Sequence, residues 1–178
     1  MDPSAVIGTG PARSGMDAAS PASGALIEVK PHNCFACGQL NASGMQLDLH
    51  LDGDRCWTTL AVPERFEGWK GLTHGGILSA IMDEVMAWSL IAIDQIGVTA
   101  RLEVDFKRPV PVGVPIRAEG WLSGRRRRLL DTAARIVDVG TGETLVEARA
   151  TYVAAPPDRA REVRDAYGFR ITRPEGGG

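Results

Sequence analysis

Residues 77–93 are apolar at 13 of 17 positions and contain neither proline nor glycine. A run of this length without a breaker reads as a helix, from 75 to about 95, with apolar side chains around most of its circumference. Such a helix must be covered on nearly every side. The run is short for a membrane span and carries Asp83 and Glu84 near its centre, so no membrane partner is expected. After Gly97 the apolar period changes to two, in segments 98–107, 114–122, 127–139 and 143–153. Gly140-Thr141-Gly142 marks a tight turn between the last two, and Pro109, Pro111 and Pro115 fill the crossing between the first two. Upstream, residues 45–51 alternate apolar and polar, and Asp52-Gly53-Asp54 supplies a turn before the strand 56–62, which is a hairpin signal. The order is two strands, one buried helix and four strands in a meander-like series, an α+β arrangement. The expected architecture is a long antiparallel sheet curled around one central helix, with a second subunit covering what remains; a helix lying flat on an open sheet is the alternative.

The 178 residues suit one domain with tails. Residues 1–24 hold five Ala, four Gly, four Ser and three Pro, a composition that cannot bury enough surface to offset its ordering entropy, and are expected to be a disordered tail. The folded domain is expected over 25–155, followed by a C-terminal tail, 156–178, with a short charged helix within 158–167. Twenty basic against twenty-two acidic side chains give a net charge of −2, which argues against a nucleic-acid partner. Three cysteines cannot all pair within one chain, and no charged-then-apolar leader opens the sequence, so a cytoplasmic location is expected.

Thr73-His74-Gly75-Gly76 stands immediately before the apolar run. The backbone N–H groups of a helix's first turn have no intrahelical acceptors and attract negative charge. Two glycines there cost helix stability; close approach of a ligand, such as a developing oxyanion, is one reason for them, and a tight loop entry is the other. Asp83 falls on the stripe Gly76, Ser79/Ala80, Asp83, Ala87, Leu90, which is lined in its first half by small residues. A carboxylate there has room beside it and must be hydrogen-bonded or put to use. Glu84, about 100° around the helix, is the competing acid.

The decapeptide His74-Gly75-Gly76-Ile77-Leu78-Ser79-Ala80-Ile81-Met82-Asp83 resembles the signature of the hotdog-fold acyl-CoA thioesterases of the PaaI-like and THEM4-like group. Asn33-Cys34-Phe35-Ala36-Cys37-Gly38, the stretch TARLEVDFKRPVPV at 99–112 and ETLVEARATYV at 143–153 agree with it in the same order. The resemblance covers about residues 31–153. It implies that Asp83 is the catalytic carboxylate, as general base on water or nucleophile on the thioester carbonyl. It further implies that backbone N–H groups of Gly75 and Gly76 polarise that carbonyl, typically across a dimer interface, that His74 has a positioning role, and that the Thr99 hydroxyl sits beside the carboxylate or the attacking water. The implied substrate is an acyl-CoA, with no metal or other cofactor, and the implied assembly is a homodimer or dimer of dimers. A hotdog hydratase or dehydratase and a non-catalytic acyl-thioester binder are the competing readings.

Cys34 and Cys37 form a CxxC with His32 nearby, three plausible metal ligands where a structural zinc site needs four, so they are read as packing or loop residues. Trp69 and Phe66 either line the acyl pocket or pack a loop. Arg125-Arg126-Arg127-Arg128 is either a solvated strand end or, through Arg126 and Arg128 on one strand face together with Lys107 or Arg108, a binding site for the coenzyme A phosphates.

Overall fold

A computed structural model describes residues 24–172 of the chain; the tail expected over 1–24 lies outside the described residues apart from Gly24. The apolar run forms helix α1, Gly75–Ser89, which buries Leu78, Ile81, Met82, Val85, Met86 and Ser89 along one stripe. Ile81, Met82, Val85 and Met86 are wholly inaccessible, and each such side chain stabilises the fold by about 1.5–3 kcal/mol. The helix is shorter than the apolar run. Residues Leu90–Ile93 tighten into a 3-10 turn that ends at Asp94, whose φ of 57° reverses the chain.

Eight strands form one antiparallel sheet: β1 (Ala25–Glu28), β2 (His50–Asp52), β3 (Arg55–Ala61), β4 (Gly97–Phe106), β5 (Pro115–Arg126), β6 (Leu129–Asp138), β7 (Thr144–Ala154) and β8 (Arg170–Thr172). The spatial order is β4-β7-β6-β5-β3-β2-β1-β8. The sheet wraps α1, which touches β3, β4, β5, β6 and β7. Small inward residues make this possible: Ala118 and Gly120 on β5, Ala134 on β6, and Ala148 and Ala150 on β7. At Gly120 the approach is closest, since a Cβ there would stand 2.7 Å from the Val85 carbonyl carbon.

Three local expectations differ from the structure. The last four long strands are not a simple meander: β5, β6 and β7 follow one another, but β4 pairs with β7 at the sheet edge. The proline-rich crossing between β4 and β5 therefore runs past the start of α1, where Val110 accepts the Thr73 N–H at 2.8 Å and Leu72 bridges to Pro111. In the 45–51 segment only His50–Asp52 joins the sheet, because Gln46 has φ 52° and the N–H groups of Met45 and Leu47 bond to the carbonyls of Phe35 and Ala36. Beyond residue 155, helix α2 (Pro157–Tyr167) leads into β8, which pairs with β1 and extends the sheet within a segment read as a tail.

Candidate active site

His74 is the N-cap of α1. Its Nδ1 accepts the Gly76 N–H at 2.9 Å, and its own N–H donates to the Phe66 carbonyl at 3.0 Å. The Gly76 N–H is thereby occupied. The Gly75 N–H has no hydrogen-bond partner among the described residues, and the ring of Phe106 stands beside that residue. Asp83 lies eight residues further along α1, about 12 Å along the axis at 1.5 Å per residue. One chain therefore holds its carboxylate and its own helix N-terminus too far apart to touch one carbonyl group.

The Asp83 carboxylate is half-buried. Its Oδ1 accepts two hydroxyl hydrogen bonds, from Thr99 Oγ1 at 2.8 Å and from Tyr152 at 2.7 Å. The Tyr152 hydroxyl also lies 2.9 Å from the Asp83 backbone carbonyl. With Oδ1 held twice, Oδ2 is the oxygen left to meet water or substrate. Thr99 reaches this place through a bulge at Ala100, between the pairs Thr99–Tyr152 and Arg101–Thr151 on β4 and β7. Tyr152 is wholly buried, and burial together with the neighbouring Asp83 carboxylate pushes its phenol well above the usual tyrosine range. It remains a donor throughout the neutral range.

Tyr152 was not among the residues singled out from the sequence. Its only sequence signal is a large polar aromatic on the inward parity of β7, alternating with Ala148, Ala150 and Ala154.

The basic residues are dispersed. Lys107 is paired with Glu147 at 3.3 Å and Arg108 with Glu143 at 3.0 Å. The arginine run does not lie on one strand: β5 ends at Arg126, β6 begins at Leu129, and Arg127, with φ 55°, and Arg128 form the turn between them. Arg126 and Arg128 therefore do not share a strand face. Arg128 donates to the Ala154 carbonyl at 3.0 Å, whereas Arg126, paired with Asp131 at 3.4 Å, and Arg101, paired with Glu103, stand with Arg149 around a surface concavity of about 270 Å³. Trp69 is 84% exposed, in the loop before α1, and Phe66 is buried in the core.

Glu84 lies about 100° around α1 from Asp83 and meets a different set of partners. Its Oε1 accepts the Trp88 indole N–H at 2.8 Å, and its Oε2 faces the Cys34 thiol at 3.9 Å. Burial pushes its carboxyl above the usual range and pushes the Cys37 thiol up as well. His32, Cys34, Cys37 and Glu84 stand together on the wall of a cleft of about 360 Å³, lined elsewhere mainly by apolar side chains such as Trp88, Val98 and Phe169, with Arg159 and Tyr167 among them.

Residues 70–145 match the family model of the Thioesterase superfamily. That span begins just before α1 and runs into β7. The domain has the hotdog fold. Among solved structures similar to this hotdog domain, a thioesterase superfamily protein aligns with TM-score 0.64 and 24% identity over 68% of this chain and 60% of its own. The E. coli PaaI protein from the phenylacetic acid degradation operon aligns with TM-score 0.57 and 19% identity, over 62% of this chain and 80% of its own. A hypothetical thioesterase from Streptococcus pneumoniae, solved with coenzyme A, aligns with TM-score 0.55 and 16% identity, over 72% of this chain and 88% of its own. No curated protein matches the chain.

Proposed function

We propose that the protein is an acyl-CoA thioesterase that acts as a homodimer or dimer of dimers, with Asp83 as the catalytic carboxylate. The observation that carries this reading is the Asp83 carboxylate, fixed by Thr99 and Tyr152 on a helix that opens with His-Gly-Gly. The S. pneumoniae thioesterase has also been solved with alanine in place of an aspartate and, separately, of a threonine sixteen positions later. Asp83 and Thr99 have the same separation of 16.

In this mechanism the thioester carbonyl lies between Asp83 and the α1 N-terminus of a second copy, whose Gly75 N–H donates to its oxygen. Water held at Asp83 Oδ2 attacks the carbonyl carbon and gives its proton to the carboxylate. Negative charge collects on the carbonyl oxygen, facing an N–H group and the positive end of a helix dipole. When the tetrahedral intermediate collapses, the carbon–sulfur bond breaks and the proton passes to the coenzyme A sulfur, leaving a free acid and a thiol. Direct attack by the carboxylate gives an anhydride that water then opens to the same products.

The arginines around the concavity beside Thr151 are candidates for the coenzyme A phosphates. The deciding experiment is thiol release from a panel of aromatic, short-chain and medium-chain acyl-CoAs. Turnover should fall by roughly 10²–10⁴-fold in Asp83→Asn. Binding without thiol release by the wild type, or hydration of an enoyl-CoA in its place, would refute hydrolysis; full activity in Asp83→Asn would remove this residue from the mechanism.

A further inference from the structure

The loop joining β1 to the 45–49 segment carries a constellation that the proposed hydrolysis does not use. His32 Nε2 lies 3.4 Å from Cys37 Sγ, and the donor atoms of His32, Cys34 and Cys37 all fall within 4.8 Å of one another. We propose that His32, Cys34, Cys37 and Glu84 form a structural binding site for a thiophilic divalent cation of the zinc class, which ties this loop to the middle of α1.

Ligand geometry supports the assignment. With Zn–S near 2.3 Å and Zn–N near 2.0–2.1 Å, tetrahedral coordination sets sulfur and nitrogen about 3.6 Å apart, close to the separation of Cys37 and His32. Glu84 Oε2 stands 3.9 Å from Cys34 Sγ but outside the 4.8 Å cluster formed by the other three donor atoms, so its carboxylate must swing inward to share the ion. Glu84 completes a set of four that the sequence, with three neighbouring candidates, left incomplete. It comes from position 84, 50 residues from Cys34, on an element that only the fold brings there.

The remaining atoms of the ligands are held as a metal site requires. His32 Nδ1 is 2.9 Å from the Lys30 carbonyl, which can only accept; the ring proton is therefore on Nδ1, and Nε2 presents its lone pair to the thiols. Glu84 Oε1 is held by the Trp88 indole, leaving Oε2 toward Cys34. The cysteines sit in a tight knuckle, with the Gly38 N–H on the Cys34 carbonyl at 3.0 Å and the Leu40 N–H on the His32 carbonyl at 3.0 Å. A Cβ on Gly38 would lie within 2.5 Å of both carbonyl oxygens, so the Cys-x-x-Cys-Gly turn closes this tightly only with glycine. The cleft on whose wall all four residues stand gives an ion a way in. On binding, the thiols become thiolate ligands and their protons leave to solvent.

The test uses the full chain with its thiols reduced and metal removed, titrated with Co²⁺ and then Zn²⁺. The expected result is uptake of one Co²⁺ per chain, giving the visible bands of a tetrahedral ion and a thiolate-to-cobalt charge-transfer band, both abolished by Zn²⁺. Cys34→Ser/Cys37→Ser should lose the charge-transfer band. Glu84→Gln should keep it while weakening Zn²⁺ binding by at least about 10-fold. X-ray absorption at the zinc edge of the wild type, which does not depend on any variant folding, should show two sulfur ligands with the rest nitrogen and oxygen. A folded wild-type chain that takes up no stoichiometric Co²⁺ or Zn²⁺, or a bound ion without sulfur ligands, would overturn the proposal; unchanged affinity in Glu84→Gln would overturn the assignment of Glu84.

Discussion

Replacing Tyr152 by Phe removes one oxygen from a wholly buried ring and leaves the packing of that ring in place. What is lost is a 2.7 Å hydrogen bond to Asp83 Oδ1. A hydrogen bond to a charged group contributes about 1.5–3 kcal/mol. At 1.36 kcal/mol per tenfold in rate, complete loss of that contribution from the transition state would lower kcat by about 10–150-fold. The contact orients Asp83 and touches no substrate, so KM should change less than about twofold. Thermal unfolding should shift by only a few degrees. A double-mutant cycle with Thr99→Val is the sharper assay, because both hydroxyls act on the same oxygen. The two substitutions should couple by at least about 0.5 kcal/mol in kcat. Unchanged kcat in Tyr152→Phe, or strictly additive effects with Thr99→Val, would refute the argument that these residues jointly hold the carboxylate.

The same tyrosine predicts an alkaline stability slope. Its folded phenol is raised above its ordinary value of 10.0, so the native state holds a proton that the unfolded state releases. The stability it contributes is complete below about pH 10 and is lost as pH rises beyond it, so the gap between wild type and Tyr152→Phe in denaturant unfolding should narrow there and stay constant at neutral pH. Gly120→Ala would force a methyl group into the α1 backbone and should destabilise the domain by about 1–3 kcal/mol, read as a lower unfolding midpoint. Arg126→Ala combined with Arg149→Ala should raise KM for acyl-CoA several-fold with little change in kcat, and leave a pantetheine thioester, which lacks the nucleotide phosphates, unaffected; equal effects on both substrates would assign the arginines to packing. Sedimentation at assay concentration should show a dimer or larger, and an active monomer would contradict a site shared between copies.

The sequence by itself determined the fold class and the start of the candidate site. A breaker-free apolar run reads as a helix and the period-two segments after it as strands, so one helix against a long antiparallel sheet was legible from patterning, although α1 proved shorter than the run and buried along one stripe. His74, Gly75, Gly76 and Asp83 were legible because they sit on one element with a fixed rise and rotation. What the tertiary structure decided is what meets them. The inward parity of Leu102 and Val104 would by strict alternation turn Thr99 outward; the bulge at Ala100 adds the residue that turns it toward Asp83. The pairing of β4 with β7 sets Tyr152 opposite Thr99, although the two strands are not neighbours in sequence. The Arg126–Leu129 junction placed a turn within four arginines whose side chains are compatible equally with strand and turn. Glu84 reached the cysteine loop for the same reason: contacts between distant elements are fixed by sheet order and helix packing, which local patterning does not encode.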